Sequence, residues 1–374
     1  MAAAATAAVA EMRVVICGGG IIGAACAYYL SRAGVTHITI VERASIACHA
    51  SGKAGGFLAR DWGGTFALQS FDLHAELGRV LEGTDYRPVE TLSVSMGGSG
   101  GGSVLPAWAD RCGAAASRLG TTATTAQVHP RKLTEALVEA ARQRGARVQI
   151  GVVEGVQVQT ATTETTPQDA PASRVTGVRV DGSVLPCDSV IVALGPWSSA
   201  AAEWFPQSVP RGISGQKYTS IVVPTEPAET TASCLFVESA DNVELYPRQQ
   251  ELYACGCPEA TPLPADPMAI EPTAAAVEAI GRVVQGCSSS LGAEERLATA
   301  TTQACYLPLS PDGEPMIGAI PNVGGAYIAT GHSCWGILNA PATGLGIAEL
   351  MTVGTATSVD LAPFAPARFL RRGG

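Results

Sequence analysis

The sequence predicts an α/β fold in which a doubly wound, parallel-sheet domain is joined to a second, α+β domain built on an antiparallel sheet. Three observations carry this. An apolar run, a triple-glycine turn and an amphipathic run succeed one another in RVVICGGGIIGAACAYYL, residues 13–30. Strand texture running into a glycine turn returns twice more, at VIVALGPW and at GAYIATG. Residues 210–260, in contrast, alternate in short segments of period two. Strands alternating with helices call for a parallel sheet covered on both faces, and clustered short strands call for an antiparallel one.

Composition narrows the class. With 374 residues the chain can bury a substantial core and form two domains, while 15% charged and 47% hydrophobic residues exclude a disordered or coiled-coil chain. A net charge of -9 disfavours nucleic acid and anionic lipid and points to a small-molecule partner. No apolar stretch is long enough to span a membrane. The opening MAAAATAAVAEM lacks the basic and long aliphatic regions of a secretory signal, so a soluble cytoplasmic protein is the expectation, with little support for an organellar address. The eleven cysteines form no C-x-x-C pair and suit neither a disulfide framework nor a metal site; Cys255 and Cys257 alternate faces if they lie on a strand. No metal is expected.

In chain order, RVVIC reads as a buried strand, residues 21–33 as a helix stopped by Gly34, and HITIVE as a second strand. A long glycine-rich loop, RASIACHASGKAGGFLARDWGG, follows; loops of that length inside compact domains are usually functional. Residues 66–82 predict a helix and VETLSVSM a strand. MGGSGGGS, residues 96–103, lacks the Lys-Ser/Thr of a phosphate-binding loop and reads as a hairpin tip. HPRKLTEALVEAARQRG has a proline-led start and a glycine stop, predicting a helix from His129. Strand character resumes over 146–159, and the Thr-rich 160–173 reads as a solvated loop. RVTGVRV, an Asp181-Gly182 turn and DSVIVALGPW describe an antiparallel excursion returning to a buried strand. KYTSIVV, VELYPR and ELYACG predict strands, residues 271–286 an amphipathic helix, GAYIATG a strand and APATGLGIAELMTVG a closing helix.

The βαβ context turns the glycine pattern into a dinucleotide fingerprint. Gly18 permits the tight turn, Gly20 admits a pyrophosphate to the backbone, and Gly23 lets the helix pack on the sheet. Glu42, nineteen residues beyond Gly23, ends the second strand, where a carboxylate accepts bonds from an adenosine ribose and repels a 2′-phosphate. The alternative is a glycine-rich turn with an incidental surface glutamate. The two later returns to strand-and-glycine-turn texture favour FAD over a nicotinamide, making the first domain a Rossmann-like FAD-binding one.

VVICGGGIIGAACAYYLSRAG, VERASIACHASGKAGG, VIVALGPWSS and PDGEPMIGAIPNVGGAYIATGHSCWGILNAPATG together resemble the D-amino-acid oxidase superfamily of FAD enzymes, in blocks spanning about residues 13–370. The wording is most similar to a poorly characterised eukaryotic branch of that superfamily, which also includes glycine oxidase, sarcosine oxidase and D-amino-acid dehydrogenases. The resemblance implies a discontinuous FAD domain over 12–90, 127–208 and 303–374, with a substrate domain over 91–126 and 209–302. It implies that Gly18, Gly20 and Ile22 meet the pyrophosphate, that Gly19, Ile21 and Gly23 belong to the same cofactor-binding turn, and that Glu42 and Arg43 meet the adenosine. Ser51, Gly52 and Lys53 would pass the flavin, and Val153 would meet the adenine. Gly195 and Trp197 form a second turn, and Gly331, His332, Gly336, Ile337 and Leu338 bring amides and a helix start to the isoalloxazine. A positive helix end there would stabilise the charge of a reduced flavin.

The implied activity is oxidation of the C–N bond of a small amino acid or related amine by hydride transfer to flavin N5, with oxygen or another electron acceptor downstream. A flavin 2-hydroxy-acid dehydrogenase and a non-catalytic flavoprotein that binds partners are the alternatives. Arg248, on a predicted strand, is the candidate cation for a substrate carboxylate, the alternative being an exposed arginine at a strand end. Tyr246 would share its face. His332 and Trp335 would touch flavin or substrate, or else support the turn; Lys53 would stabilise charge, or else face solvent. Cys305 stands seven residues before Asp312, the spacing at which sarcosine oxidases attach FAD covalently, against the default of a buried thiol. Leu338 replaces the substrate-binding lysine of those enzymes and the position near Ala254 their oxygen-reactive lysine, so sarcosine is not the expected substrate.

Overall fold

The computed structural model describes residues 2–64, 66–96, 105–113, 116–160, 171–227 and 229–370. The MGGSGGGS stretch beyond Met96 and most of the Thr-rich 160–173 lie outside the described residues. Two compact units emerge: residues 1–52, 133–215 and 307–374 form the first, and 53–132 and 216–306 the second.

The first unit is organised by a six-stranded sheet in the order Met316–Ala319, Ala326–Thr330, Ser189–Val192, Arg13–Cys17, His37–Glu42, Arg147–Ile150. Every neighbouring pair is parallel except the edge pair of Met316–Ala319 with Ala326–Thr330. Val14 to Cys17 and Val190 to Val192 are buried throughout, which is why these strands read as unbroken apolar runs: both faces are covered. The helix Ile21–Arg32 follows the first glycine turn, and the helix Gly336–Thr352 packs along it. A Cβ at Gly344 would come within 2.6 Å of the Ala25 carbonyl carbon, so glycine sets how closely these helices approach. That last helix starts four residues ahead of the expected Ala340 and runs through Pro341.

The strand expected over 146–159 divides at Gly151. Arg147–Ile150 joins the large sheet, while Val153–Thr160 pairs antiparallel with Ser173–Val180, which also pairs with Ser183–Pro186. A Cβ at Gly151 would lie 2.6 Å from Asp181 Oδ2 and 2.7 Å from Val180 Cγ1, so a side chain there would displace both.

The second unit carries a seven-stranded sheet in the order Thr301–Leu309, Ser214–Pro224, Glu251–Glu259, Glu244–Pro247, Ser233–Val237, Glu90–Val94, Ser117–Gly120. Ser214–Pro224, Glu251–Glu259, Glu244–Pro247 and Ser233–Val237 pair antiparallel in turn, as do Glu90–Val94 and Ser117–Gly120; Ser233–Val237 with Glu90–Val94 is parallel. The helix Ala274–Cys287, capped by Thr273 Oγ1 accepting from the Ala276 amide at 3.3 Å, buries Ile280, Val283 and Val284 in the same core as Leu235, Leu245 and Ile221. The remaining expected helices are Ala67–Val80 and Pro130–Arg142. Residues 53–90 and 127–132, expected with the nucleotide domain, group by compactness with the second unit. There Thr125–Gln127 pairs antiparallel with both Phe57–Ala59 and Arg87–Pro88. Among the described residues no helix is long and apolar enough to cross a membrane.

Candidate functional site

Three neighbouring parallel strands of the first unit run into glycines of positive φ. Arg13–Cys17 ends at Gly18 (φ 113°), Ser189–Val192 leads to Gly195 (φ 56°), and Ala326–Thr330 ends at Gly331 (φ 78°). The carboxyl end of a parallel sheet is where α/β proteins bind ligands, because loops and helix N-termini converge there. Thr330 Oγ1 donates to the Gly195 carbonyl at 2.8 Å and ties the second and third turns together.

The glycines of these turns divide by what requires them. At Gly18 a Cβ would sit 2.3 Å from the Ala193 carbonyl oxygen, and at Gly23 2.0 Å from that of Gly18, so the chain's own packing demands both. At Gly20 the nearest atom is Ser51 Oγ at 3.1 Å, and at Gly336 it is His332 Cβ at 3.7 Å. Gly336 has φ −59°, open to any residue. Each opens a helix, Gly20 as the cap of Ile21–Arg32 and Gly336 as the first residue of Gly336–Thr352. Bare backbone at two helix starts, with little or no packing reason for it, is the cradle an anionic dinucleotide fits. The residues present therefore suit the expected cofactor.

Around the first turn, the Gly19 amide donates to Glu42 Oε2 at 2.8 Å and the Ala44 amide to Oε1 at 3.1 Å. The buried Glu42 carboxylate thus braces the turn; Oε1 also accepts from the Cys48 thiol at 3.5 Å, and Oε2 keeps a lone pair for a ribose hydroxyl. The Ile21 amide donates to Ser51 Oγ at 2.8 Å, so the loop expected along the flavin caps the helix from outside it. Gly52 N donates to the His49 carbonyl. Trp197 and His49 rings lie 5.3 Å apart. Val153 is half-buried against the apolar cluster of the unit, and Arg43 is exposed.

His332 follows Gly331 and is 2% exposed. Its Nε2 shares a 3.0 Å hydrogen bond with Thr343 Oγ1, while Nδ1 is buried without a protein partner. Burial lowers the imidazole to about 3, so it is neutral at physiological pH. Trp335 is half-buried, and Ile337 and Leu338 bury their side chains.

The second unit brings together Lys53, Cys305, Tyr246 and Arg248. Lys53 Nζ donates to the Ala304 carbonyl at 2.9 Å, and the Lys53 carbonyl accepts from Tyr253 Oη at 2.8 Å. Burial raises the Cys305 thiol to about 11 even though the Lys53 charge pulls it down, so it is held as a thiol. Tyr246 lies stacked between Phe57, 5.5 Å away, and Tyr253, 6.1 Å away, and its hydroxyl donates to Glu244. Burial raises the Glu244 carboxyl.

Arg248 departs from both sequence-based expectations. It is not exposed but 6% accessible, and its Nη groups are already engaged: Nη1 by Glu251, Nη2 by the carbonyls of Ala54 and Gly55. Its guanidinium carbon lies 4.7 Å from the centre of the Tyr253 ring. A bidentate grip on a substrate carboxylate through those groups is not available in this arrangement, because the chain's own acceptors hold them.

Sequence reasoning missed the aromatic wall of Phe57, Trp62, Phe236 and Tyr253 around Tyr246. A signal existed: the hairpin of Glu244–Pro247 with Glu251–Glu259 sets Tyr246 directly opposite Tyr253. Phe57, Trp62 and Phe236 come from distant segments, which no local pattern connects.

Comparison with known proteins adds an independent line. The family model described as FAD dependent oxidoreductase matches residues 13–350. A candidate oxidoreductase of Schizosaccharomyces pombe is 30% identical over 392 residues, covering 93% of this chain and 96% of the relative. Among solved structures, glycine oxidase from Bacillus cereus superposes with a TM-score of 0.72 at 20% identity, covering 92% of this chain and 96% of that one. L-proline dehydrogenase from P. horikoshii superposes with a TM-score of 0.75 at 18% identity, covering 96% and 98%.

Proposed function

The chain belongs to the family of FAD dependent oxidoreductases, and from that premise we propose that it oxidises the C–N bond of a small amino acid or related amine. The observation that carries the reading is the row of three glycine turns on neighbouring parallel strands, with bare helix starts at Gly20 and Gly336. The solved structures that share the fold include a glycine oxidase and an L-proline dehydrogenase, both of which by name act on amino acids.

FAD, when bound, supplies the acceptor for the hydride that leaves the carbon bearing nitrogen. The chain's contribution is binding, orientation and exclusion of water. The turn from Gly18 to Gly20, with the amides opening Ile21–Arg32, including Ile22, holds the pyrophosphate; Glu42 and Arg43 take the adenosine and Val153 the adenine. Ser51, Gly52 and Lys53, then Gly195 and Trp197, line the path toward the ring. Gly331, His332, Gly336, Ile337 and Leu338 present the positive end of the last helix, which favours negative charge gathering on a reduced ring. His332, buried and held in its neutral form, packs and orients and brings no positive charge to the turn. Tyr246 and Tyr253 build the aromatic wall of the second unit, and Arg248 acts as a positioning residue by holding the Ala54–Gly55 backbone.

The test is anaerobic bleaching of the FAD-loaded protein by a panel of glycine, N-alkyl glycines, proline, D- and L-amino acids and 2-hydroxy acids. Bleaching by an amine is expected. Bleaching by hydroxy acids alone would replace the C–N reading with a C–O one, and no response to any compound would favour a non-catalytic flavoprotein.

A further inference from the structure

We propose that the second unit holds a binding site for one small monovalent anion, of halide size, formed by Arg87, Gln127 and Arg248. A cavity of about 10 Å³ lies there, lined by Asp85, Arg87, Gln127, His129, Arg248 and Gln249. That is room for one water-sized particle.

Three of the lining side chains carry buried polar atoms with no partner in the protein: Gln127 Nε2, Arg248 Nε and His129 Nδ1. Gln127 is 2% exposed and Arg248 6%. A buried donor left unmade is costly, so such atoms on residues that line one cavity call for an occupant. The chemistry of the donors says which. Gln127 Oε1 accepts from Arg87 Nε and Nη2, at 3.3 and 3.2 Å, which fixes the amide the other way round and leaves Nε2 as a donor. Arg248 Nε is a donor in every state. His129 Nε2 lies 3.6 Å from Glu251 Oε1, and the other two atoms donate whatever the tautomer of His129.

Charge decides between water and an anion. Arg248 is paired with Glu251, and Asp85 with Lys132 at 2.6 Å. Arg87 is half-buried and bonded only to neutral acceptors, Gln127 Oε1 and the Pro247 carbonyl; among the described residues no carboxylate pairs with it. The Asp85 carboxylate on the cavity lining is spent on Lys132, so one positive charge is left without a counter-ion beside two unmade N–H donors, and a single small negative charge satisfies both.

The site is tested on the FAD-loaded protein with bromide as probe. Crystals grown in sodium bromide and measured at the bromine edge are expected to show an anomalous peak within hydrogen-bond reach of Gln127 Nε2 and Arg248 Nε. Bromide is also expected to raise the unfolding temperature saturably relative to gluconate, too large for the cavity, at equal ionic strength. Gln127→Glu supplies a carboxylate against Arg87 and should weaken the bromide response about tenfold or more. If that variant does not fold, the two measurements on the unaltered protein decide. No anomalous peak in the cavity, with water alone in the density, overturns the proposal.

Discussion

Gly20 and Gly336 are glycines whose own protein surroundings leave a Cβ room, or nearly so, whereas Gly18 and Gly23 have none. Gly336→Ala should leave the apoprotein as stable or more so, since alanine is about 0.5–1 kcal/mol better than glycine in a helix, while weakening FAD binding about tenfold or more. Gly23→Ala should instead destabilise the apoprotein by about 1–3 kcal/mol, because its Cβ would meet a backbone oxygen at 2.0 Å. Thermal unfolding of the apoproteins and fluorometric FAD titration separate the two cases. Acid should act through the histidines: burial lowers His332 to about 3 and His129 to about 4, against an unfolded value near 6.5. Below that value the unfolded chain takes up protons the native one refuses, so stability is full above pH ~6.5 and falls toward pH ~4 by about 1.4 kcal/mol per pH unit for each histidine. Denaturant melts against pH check this, and His332→Gln should flatten the slope by one proton. The glycine fingerprint and Glu42 were legible because their spacing is local. The engagement of Arg248 was not, since the Ala54–Gly55 carbonyls that hold its Nη2 lie 194 and 193 residues away in the chain, and only Glu251 is a near neighbour.

Elements were legible where one period dominates a long window. The helix Pro130–Arg142 and the strand His37–Glu42 stand where apolar spacing and flanking proline or glycine placed them. The run over 146–159 shows the limit: its strand character is continuous, and the division at Gly151 shows only in which partner each half pairs with, Arg147–Ile150 with His37–Glu42 and Val153–Thr160 with Ser173–Val180. Helix pairing was equally hidden. Gly344→Leu should separate Gly336–Thr352 from Ile21–Arg32 and either unfold the first unit or lower its stability by several kcal/mol, since overpacking at a 2.6 Å contact leaves no rotamer free. In the second unit Thr273→Ala removes a helix cap and should cost about 1 kcal/mol, read from denaturant melts.

At the scale of the whole molecule, FAD is a ligand of the folded state alone, so at a hundredfold excess over its dissociation constant it should stabilise the protein by about 2.7 kcal/mol. With Cys305 held as a buried thiol, acid precipitation should leave all the yellow colour in the supernatant; colour pelleting with the protein would establish a covalent link. The sequence by itself determined the dinucleotide turn, the first βαβ unit, the longer helices and the family, since each rests on neighbours a few residues apart, whose spacing the backbone period translates directly into faces and turns. Only the tertiary structure decided which glycines a ligand rather than the chain requires, that Arg248 is held by its own protein, and that Gln127, Arg87 and Arg248 surround a cavity. Those facts depend on which side chains distant strands set within 3–4 Å of one another, and short-range contacts between segments far apart in the chain leave no periodic trace along it.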